Sequence, residues 1–241
     1  ADTFLADNTK SPSYVNFDKN DGASQYKNAS YIRNYWLAKY TGGPKFNAPF
    51  RNVEEGVYTG YRFFETASSL GYFTSQNLPA GVSDPYYNRD NGVVYPFGYG
   101  LSYTTFSQKI EKFDVTDKTV TVTVKVTNDG KKAGKAVVQL YYGAPYTDFD
   151  IQNMIEKPTV NLIKFGKTRV INPGQSDTVK LSFNKEDMAS YSSVHKNPNG
   201  TAGSYVLEKG NYLITLRADI HTVIDSREVA VSDTVWYDTV A

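Results

Sequence analysis

Cysteine is absent from the 241 residues of this chain. Its absence excludes disulfide bonds, thiolate zinc sites and a cysteine nucleophile. Histidine is almost as scarce, because His195 and His221 are the only two. They stand far apart, without acidic clusters at the spacing that metal ligands need. We therefore expect no metal site and no histidine-based nucleophilic site.

A strong charge of either sign is also missing. The chain has 26 basic and 25 acidic residues, which gives a formal charge of +1. This balance gives no reason to expect a nucleic acid or an anionic membrane as a partner. No apolar run approaches the roughly 20 residues that span a bilayer. The composition leaves the cellular compartment open.

Sequence signatures of several enzyme and cofactor classes are missing as well. There is no G-x-S-x-G nucleophile elbow and no phosphate-binding loop. Gly98-Tyr99-Gly100 lacks the third glycine and the helix of a dinucleotide site. We therefore expect no cofactor. The opening Ala1-Asp2-Thr3-Phe4 has neither an initiator methionine nor a signal peptide, so we expect an internal cut.

Tyrosine, by contrast, is abundant, with 20 residues, and several of them cluster at 93–106. This stretch, VVYPFGYGLSYTTF, is called the connector below. Proline removes a backbone donor, and glycines on either side of Tyr99 permit positive φ angles. The connector therefore predicts a bent segment whose aromatic rings pack against two structural units and hold them rigid.

The pattern after the connector is typical of a β-sandwich. Residues 119–127 alternate strictly, with four valines on one face, and Asn128-Asp129-Gly130 follows as a turn. Further strands are predicted at 136–142, 177–183, 203–207, 211–217 and 227–231. The third and fourth of these are expected to pair across Glu208-Lys209-Gly210. About seven short strands at this spacing predict an immunoglobulin-like sandwich.

The first hundred residues have poor periodicity and resemble the tail of a larger domain. Helices are predicted over 29–40 and over 53–66, the latter with Glu54 and Glu55 near its start. Residues 70–92 predict a polar and aromatic loop.

Four motifs together resemble family 3 glycoside hydrolases, the β-glucosidases and their relatives. They are Glu55–Phe64 (EGVYTGYRFF), the connector, residues 133–146 with AGKAVVQLY followed by Ala144-Pro145-Tyr146, and Asn172-Pro173-Gly174-Gln175-Ser176. The resemblance implies two parts. Residues 1–105 would be the tail of an α/β-sandwich domain with its linker, and 106–241 a fibronectin III-like β-sandwich. The fold class is thus mainly β, with a partial α/β-sandwich segment in front.

The two ends of the chain add a further expectation about domain order. Residues 210–237 and the opening segment are similar to the subset of this family with permuted order, in which the (β/α)8 barrel follows the sandwich.

The family resemblance also implies where the chemistry lies. A retaining glycosidase needs two carboxylates roughly 5–5.5 Å apart. In this family the nucleophile is an Asp on the barrel and the acid/base is usually a Glu on the α/β-sandwich. No barrel motif is present here, and no carboxylate is selected by its spacing. We therefore assign no catalytic residue and expect this chain alone to be inactive. Glu55 is read as a helix-capping residue and Arg62 as a structural ligand of carboxylates or carbonyls.

The implied partners are a β-glucoside or oligosaccharide, bound through the parent enzyme, and a (β/α)8 barrel domain or chain. Candidate sugar-stacking residues are Trp36, Tyr86 and Tyr87, although such rings commonly pack domain surfaces instead. Two alternatives remain open at this point: a stand-alone carbohydrate-binding module and a protein-interaction module.

Overall fold

The computed structural model describes residues 57–70 and 93–237, together with the backbone of Phe4 and Leu5. In chain order the described elements are β1 (Phe4–Leu5), α1 (Tyr61–Ser69), β2 (Val93–Tyr95), β3 (Phe106–Val115), β4 (Thr119–Asn128), β5 (Val137–Gly143), α2 (Asp148–Gln152), β6 (Asn161–Lys167), β7 (Ser176–Asn184), a 3-10 helix (Lys185–Met188), β8 (Ser190–Lys196), β9 (Ala202–Leu207), β10 (Gly210–Arg217), β11 (Val223–Val231) and β12 (Val235–Tyr237).

Seven of these strands form a two-sheet sandwich. One sheet has the order β3-β4-β7, and the other has the order β11-β10-β5-β6. Every pairing within the two sheets is antiparallel. This arrangement confirms the predicted mainly β, immunoglobulin-like sandwich. A third sheet, β12-β9-β8, lies outside these seven strands, and β1 pairs with β2.

The sandwich core follows from the alternation in β4. Its four valines (Val120, Val122, Val124 and Val126) are completely buried, whereas the residues between them are partly exposed. They meet alternating apolar residues of β7, with Val122 opposite Leu181 and Val124 opposite Val179. Because the side-chain period of a strand is two residues, a slip by one position would expose this whole row. Leu140 of β5 and Ile214 and Leu216 of β10 complete the same core from the other sheet.

The predicted hairpin across Glu208-Lys209-Gly210 is wrong. β9 pairs with β8 and β12, whereas β10 pairs with β5 and β11. The chain crosses between sheets at this point because Glu208 is buried and its carboxylate accepts hydrogen bonds from the Thr147 hydroxyl and from the Lys157 ammonium. The backbone N–H of Lys209 donates to the Thr234 hydroxyl.

The helix predicted over 53–66 begins later, at Tyr61, and ends at Ser69. Gly60 interrupts it with a φ of 52°, a left-handed conformation that a continuing helix does not tolerate. The first turn of α1 has no acidic residue, so the helix-start role expected of Glu54 and Glu55 is not found there. Both glutamates lie outside the described residues, as do the helix over 29–40 and nearly all of the loop predicted at 70–92.

Asn128 organises one end of the sandwich although its side chain is polar and fully buried. Its Oδ1 accepts hydrogen bonds from the Thr104 hydroxyl (2.7 Å) and the Gly130 N–H (3.1 Å). Its Nδ2 donates to the carbonyls of Lys132 (2.7 Å) and Ile171 (2.8 Å). The amide is therefore fully satisfied, which a buried polar group requires.

Replacing Asn128 by Ala should lower the free energy of unfolding by about 3 kcal/mol, because the four hydrogen bonds of a fully buried amide would be lost. Urea denaturation with a two-state fit measures the change. Asn211→Ala is the matched control, since Asn211 is exposed and its Nδ2 contacts Glu228 at the surface. An Asn128→Ala protein as stable as this control would contradict the assigned role.

Candidate functional site

Residues 57–70 and the connector pack against the sandwich along β5, β6 and the turn between β10 and β11. This contact surface is called the seam below. Among the residues that the structure describes, the seam carries most of the hydrogen bonds between residues up to 105 and the residues that follow.

An aromatic cluster lies at the centre of the seam. The rings of Tyr61 from α1 and Phe97 from the connector stack with their centroids 4.8 Å apart. They pack with Tyr141, Val160 and Ile220 of the sandwich side. The Tyr61 hydroxyl also accepts a hydrogen bond from the backbone N–H of Leu162 in β6 (3.1 Å). The Tyr61 side chain thus combines burial of its ring with a hydrogen bond to the backbone of β6.

The backbone of the connector is hydrogen-bonded directly to the sandwich. The Ile220 N–H donates to the carbonyl of Phe97 (2.8 Å). Gln139, a buried residue of β5, donates through Nε2 to the carbonyl of Gly98 (3.2 Å) and to that of Ala218 (3.0 Å). One amide group thereby joins the connector, β5 and the β10–β11 turn.

Tyr141 orients this amide. Its hydroxyl donates to Gln139 Oε1 at 2.7 Å. Burial raises the pKa of the Tyr141 phenol, so the hydroxyl stays protonated and remains a donor. With Oε1 accepting, Nε2 of Gln139 is turned toward the two carbonyls. The spacing Gln139-x-Tyr141 places both side chains on one face of β5.

Gly98 is required for this approach. It adopts a φ of 84° in a turn in which the Tyr99 N–H donates to the Pro96 carbonyl. A side chain at this position would also collide with the amide of Gln139. Both the positive φ and the close contact favour glycine.

The connector has a second attachment point at its other end. The buried Thr104 donates to Asn128, whose backbone also bonds with Gly174 and Gln175. The other three motifs of the sequence therefore converge on the connector. Tyr61 and Gln139 come from two of them and contact its first half, while the segment around Gly174 reaches its second half through Asn128.

Polar contacts extend the seam along α1. Thr66 Oγ1 accepts a hydrogen bond from the Thr159 N–H (3.0 Å). The buried Glu65 places Oε2 3.3 Å from Nδ1 of His221 in the β10–β11 turn. Before the helix, the Tyr58 hydroxyl donates to Glu156 Oε2 at 2.6 Å. Burial and this bond raise the pKa of the Tyr58 phenol, which keeps its proton in place.

The prediction that the aromatic rings of the connector are packed holds for Phe97 but fails for several others. Tyr95 and Tyr99 are about half exposed, Leu101 is 88% exposed and Tyr103 is completely exposed. Tyr95 and Tyr99 lie side by side, with centroids 5.3 Å apart. The connector is therefore anchored by Phe97 and Thr104, and it presents an apolar outer face between them.

A buried ionic trio, which sequence reasoning missed, lies at the end of β9. The Lys157 ammonium is 2.5 Å from Asp150 Oδ1 and 2.5 Å from Glu208 Oε2, and all three side chains are nearly inaccessible. Thr147 caps α2 and donates to Glu208 Oε1. The pattern Thr147-x-x-Asp150 is a capping box, and this signal could have located half of the trio from the sequence.

These two carboxylates are structural. A retaining glycosidase needs a carboxylate that reaches the substrate, whereas Asp150 and Glu208 are both shielded from solvent and bound to Lys157. Such a trio ties α2, the 155–157 loop and the end of β9 together.

The candidate sugar-stacking residues Trp36, Tyr86 and Tyr87 lie outside the described residues. Arg62 lies beside the ring of Tyr61, with its guanidinium carbon 5.8 Å from the ring centroid. Its buried Nε has no hydrogen-bond partner within the described part of the chain. Its role as a ligand of carboxylates or carbonyls stays a prediction.

The two histidines have different neighbours. His221 pairs with Glu65, and His195 stacks on Trp236, with ring centroids 3.5 Å apart. Within residues 57–70 and 93–237, no group of three or more histidine, aspartate or glutamate side chains is placed to hold a metal ion. The helices in those ranges are also too short or too polar to cross a membrane.

Comparison with known proteins agrees with this architecture. The fibronectin type III-like domain family matches residues 136–219. Beta-glucosidase A of Butyrivibrio fibrisolvens is 38% identical over 174 residues, which are 66% of this chain and 18% of that protein. Thermostable beta-glucosidase B of Acetivibrio thermocellus is 28% identical over 239 residues, which are 98% of this chain and 23% of the relative.

Solved structures give the same picture over nearly the whole chain. β-Glucosidase 3B from Thermotoga neapolitana superposes with a TM-score of 0.64 at 27% identity, covering 99% of this chain and 25% of that structure. A β-glucosidase from Paenibacillus barengoltzii gives a TM-score of 0.64 at 28% identity, covering 98% and 20%. The chain thus spans about a fifth to a quarter of the length of these relatives. The domain match, the relatives and these structures show that the chain belongs to glycoside hydrolase family 3.

Proposed function

We propose that this chain is a non-catalytic part of a β-glucosidase-type retaining hydrolase and that it braces the catalytic domains of that enzyme. The observation that carries the proposal is the seam. The rings of Tyr61 and Phe97 stack on each other. Three hydrogen bonds join Tyr61, Phe97 and Gly98 to the sandwich. A connection fixed in this way permits little relative motion between the two regions that it joins.

The division into domains at residue 105 is part of this proposal. β3 begins at Phe106, and Phe106 is the first connector residue that packs against the main core. Tyr61 and Phe97 belong instead to the separate seam cluster. We assign 1–105 to the end of an α/β-sandwich domain with its linker and 106–241 to the fibronectin III-like domain.

The proposed partner is a (β/α)8 barrel that carries the catalytic nucleophile. The matched portions are 18% and 23% of these relatives, which leaves room for such a domain. Their names support β-glucosides or oligosaccharides as the substrate of the complete enzyme. Nucleic acid is not a proposed partner, because the formal charge of the chain is +1.

The exposed outer face of the connector is the proposed contact with the rest of the enzyme. Leu101 and Tyr103 are separated by one residue, and both side chains are exposed. Exposed apolar side chains that cluster in this way are typical of interaction surfaces. A protein-interaction module would use the same face. In that case, mixing this chain with a separate barrel chain should restore hydrolysis.

Replacing Phe97 by Ala should lower the free energy of unfolding by about 2–3 kcal/mol, because the ring leaves a cavity beside Tyr61 and Ile220. Thermal and urea unfolding measure the loss, and limited proteolysis should show earlier cleavage within 57–70. The matched control is Tyr103→Ala, which removes a fully exposed ring of the same connector and should change stability by under about 0.5 kcal/mol. Equal effects of the two substitutions would refute the bracing role of the seam.

The purified chain should not hydrolyse 4-nitrophenyl β-D-glucopyranoside above the buffer rate, because its sequence carries no barrel motif to supply the nucleophile and both carboxylates of the ionic trio are shielded from solvent. An active β-glucosidase in the same assay serves as the positive control. Turnover by this chain that disappeared in a single carboxylate variant, such as Glu55→Gln, would overturn the proposal.

A further inference from the structure

We propose that a groove between the β3–β4 turn, the 3-10 helix and the β11–β12 segment binds an oligosaccharide. The groove has a volume of about 680 Å³, which lies in the range of small-molecule sites. None of its lining residues belongs to the seam, so a sugar site here is independent of the bracing role.

The walls of the groove are held by backbone contacts between separate parts of the chain. The Lys185 N–H of the 3-10 helix donates to the Lys118 carbonyl in the β3–β4 turn at 2.7 Å. The Lys209 N–H donates to Thr234 Oγ1 in the β11–β12 segment at 3.0 Å. These hydrogen bonds lie within the chain itself, so they hold the segments around the groove in place, which lowers the entropic cost of binding.

The polar groups of the groove suit a neutral ligand with many hydroxyl groups. Acceptors come from the carboxylates of Asp117, Glu186 and Asp233, and donors from the ammonium groups of Lys118 and Lys185. Three negative charges against two positive charges attract neither a strong anion nor a strong cation. Sugar hydroxyls both donate and accept hydrogen bonds, so they can use both kinds of group.

Tyr237 supplies the aromatic wall of the groove. It lies in β12 directly opposite Tyr205 of β9, and Tyr205 lies opposite Tyr191 of β8. Residues paired in this way point to the same face of a sheet. The three tyrosines therefore form a row that leads out of the groove over two strand spacings, which is roughly 10 Å and comparable to two linked pyranose rings.

The outer end of this row is open. Tyr191 is 48% exposed, and its ring contacts that of Tyr205 edge to face at 5.2 Å. Gly203 has a φ of 105°, and a side chain there would collide with the Tyr191 hydroxyl. Tyr191 therefore lies over Gly203, across the surface of the sheet. A ring in this position can stack on the C–H face of a sugar while its hydroxyl stays hydrated.

Charge and burial also prepare the Tyr237 hydroxyl as a donor. Burial, together with the nearby Glu186 carboxylate, raises the pKa of the Tyr237 phenol. Like any tyrosine, Tyr237 is protonated at neutral pH, and its hydroxyl can donate to a sugar oxygen.

This site is tested by titrating the full 241-residue chain with cellohexaose, laminarihexaose and xylohexaose. Calorimetry and NMR shift mapping measure the binding. We expect saturable binding of at least one of these sugars, with shifts at Tyr237, Tyr205 and Tyr191. Tyr237→Ala should weaken binding roughly tenfold, whereas the exposed control Tyr146→Ala should leave it unchanged. Asp233→Asn should also weaken binding, and it removes one carboxylate without removing a packed ring.

Several outcomes would overturn the site. They are no saturable binding of any of the three sugars, binding that Tyr237→Ala and Asp233→Asn leave unchanged, or self-association of the chain that buries this groove. Folding of each variant is checked by its unfolding transition. Because Phe97 and the hydrolysis assay are not involved, failure here leaves the bracing role of the seam intact.

Discussion

The hydrogen bond from the Gln139 side chain to the Gly98 carbonyl is the contact on which the arrangement of this protein depends. It fixes the backbone of the connector at the point where Phe97 inserts its ring beside Tyr61. Gln139 can make this bond because Tyr141 occupies the other end of its amide, and because Gly98 offers a bare backbone. A hydrophobic cluster alone is non-directional. The amide adds direction, and so it defines how the connector crosses the sandwich.

Buried polar groups take a similar part elsewhere in the molecule. The valine and leucine core drives the two sheets together, but nothing in it specifies how the irregular segments attach. Asn128 attaches the end of the connector and the 171–175 turn to β4. Lys157, with Asp150 and Glu208, attaches α2 and the β9–β10 crossing. Each group has its partners in place, and removing one partner would leave the others buried and unsatisfied.

Much of the sandwich could be predicted from the sequence, because strands such as β4 carry their own signal in strict alternation. The placement of β9 and β10 in different sheets could not be predicted, since the short segment Glu208-Lys209-Gly210 looks like a hairpin turn. Glu208 is buried against Lys157 and Thr147, which are distant from it in the sequence. The sequence predicts too early a start for α1 because the apolar spacing of a helix continues across Gly60. The positive φ of Gly60 keeps the residues before it out of the helix. The sequence predicts the connector as a joint, yet composition does not separate the partly buried Phe97 from the exposed Tyr103. The candidates Trp36, Tyr86 and Tyr87 stay predictions.

Native-state hydrogen exchange at the Ile220 amide tests the central claim most directly, because that N–H donates to the Phe97 carbonyl inside the seam. If the connector is fixed to the sandwich, this amide should exchange only through the global opening that also releases the Val124 amide in the centre of β4. Exchange of the Ile220 amide at the rate of amides in exposed turns, while Val124 stays protected, would mean that the connector detaches from an intact sandwich, and the account would be contradicted.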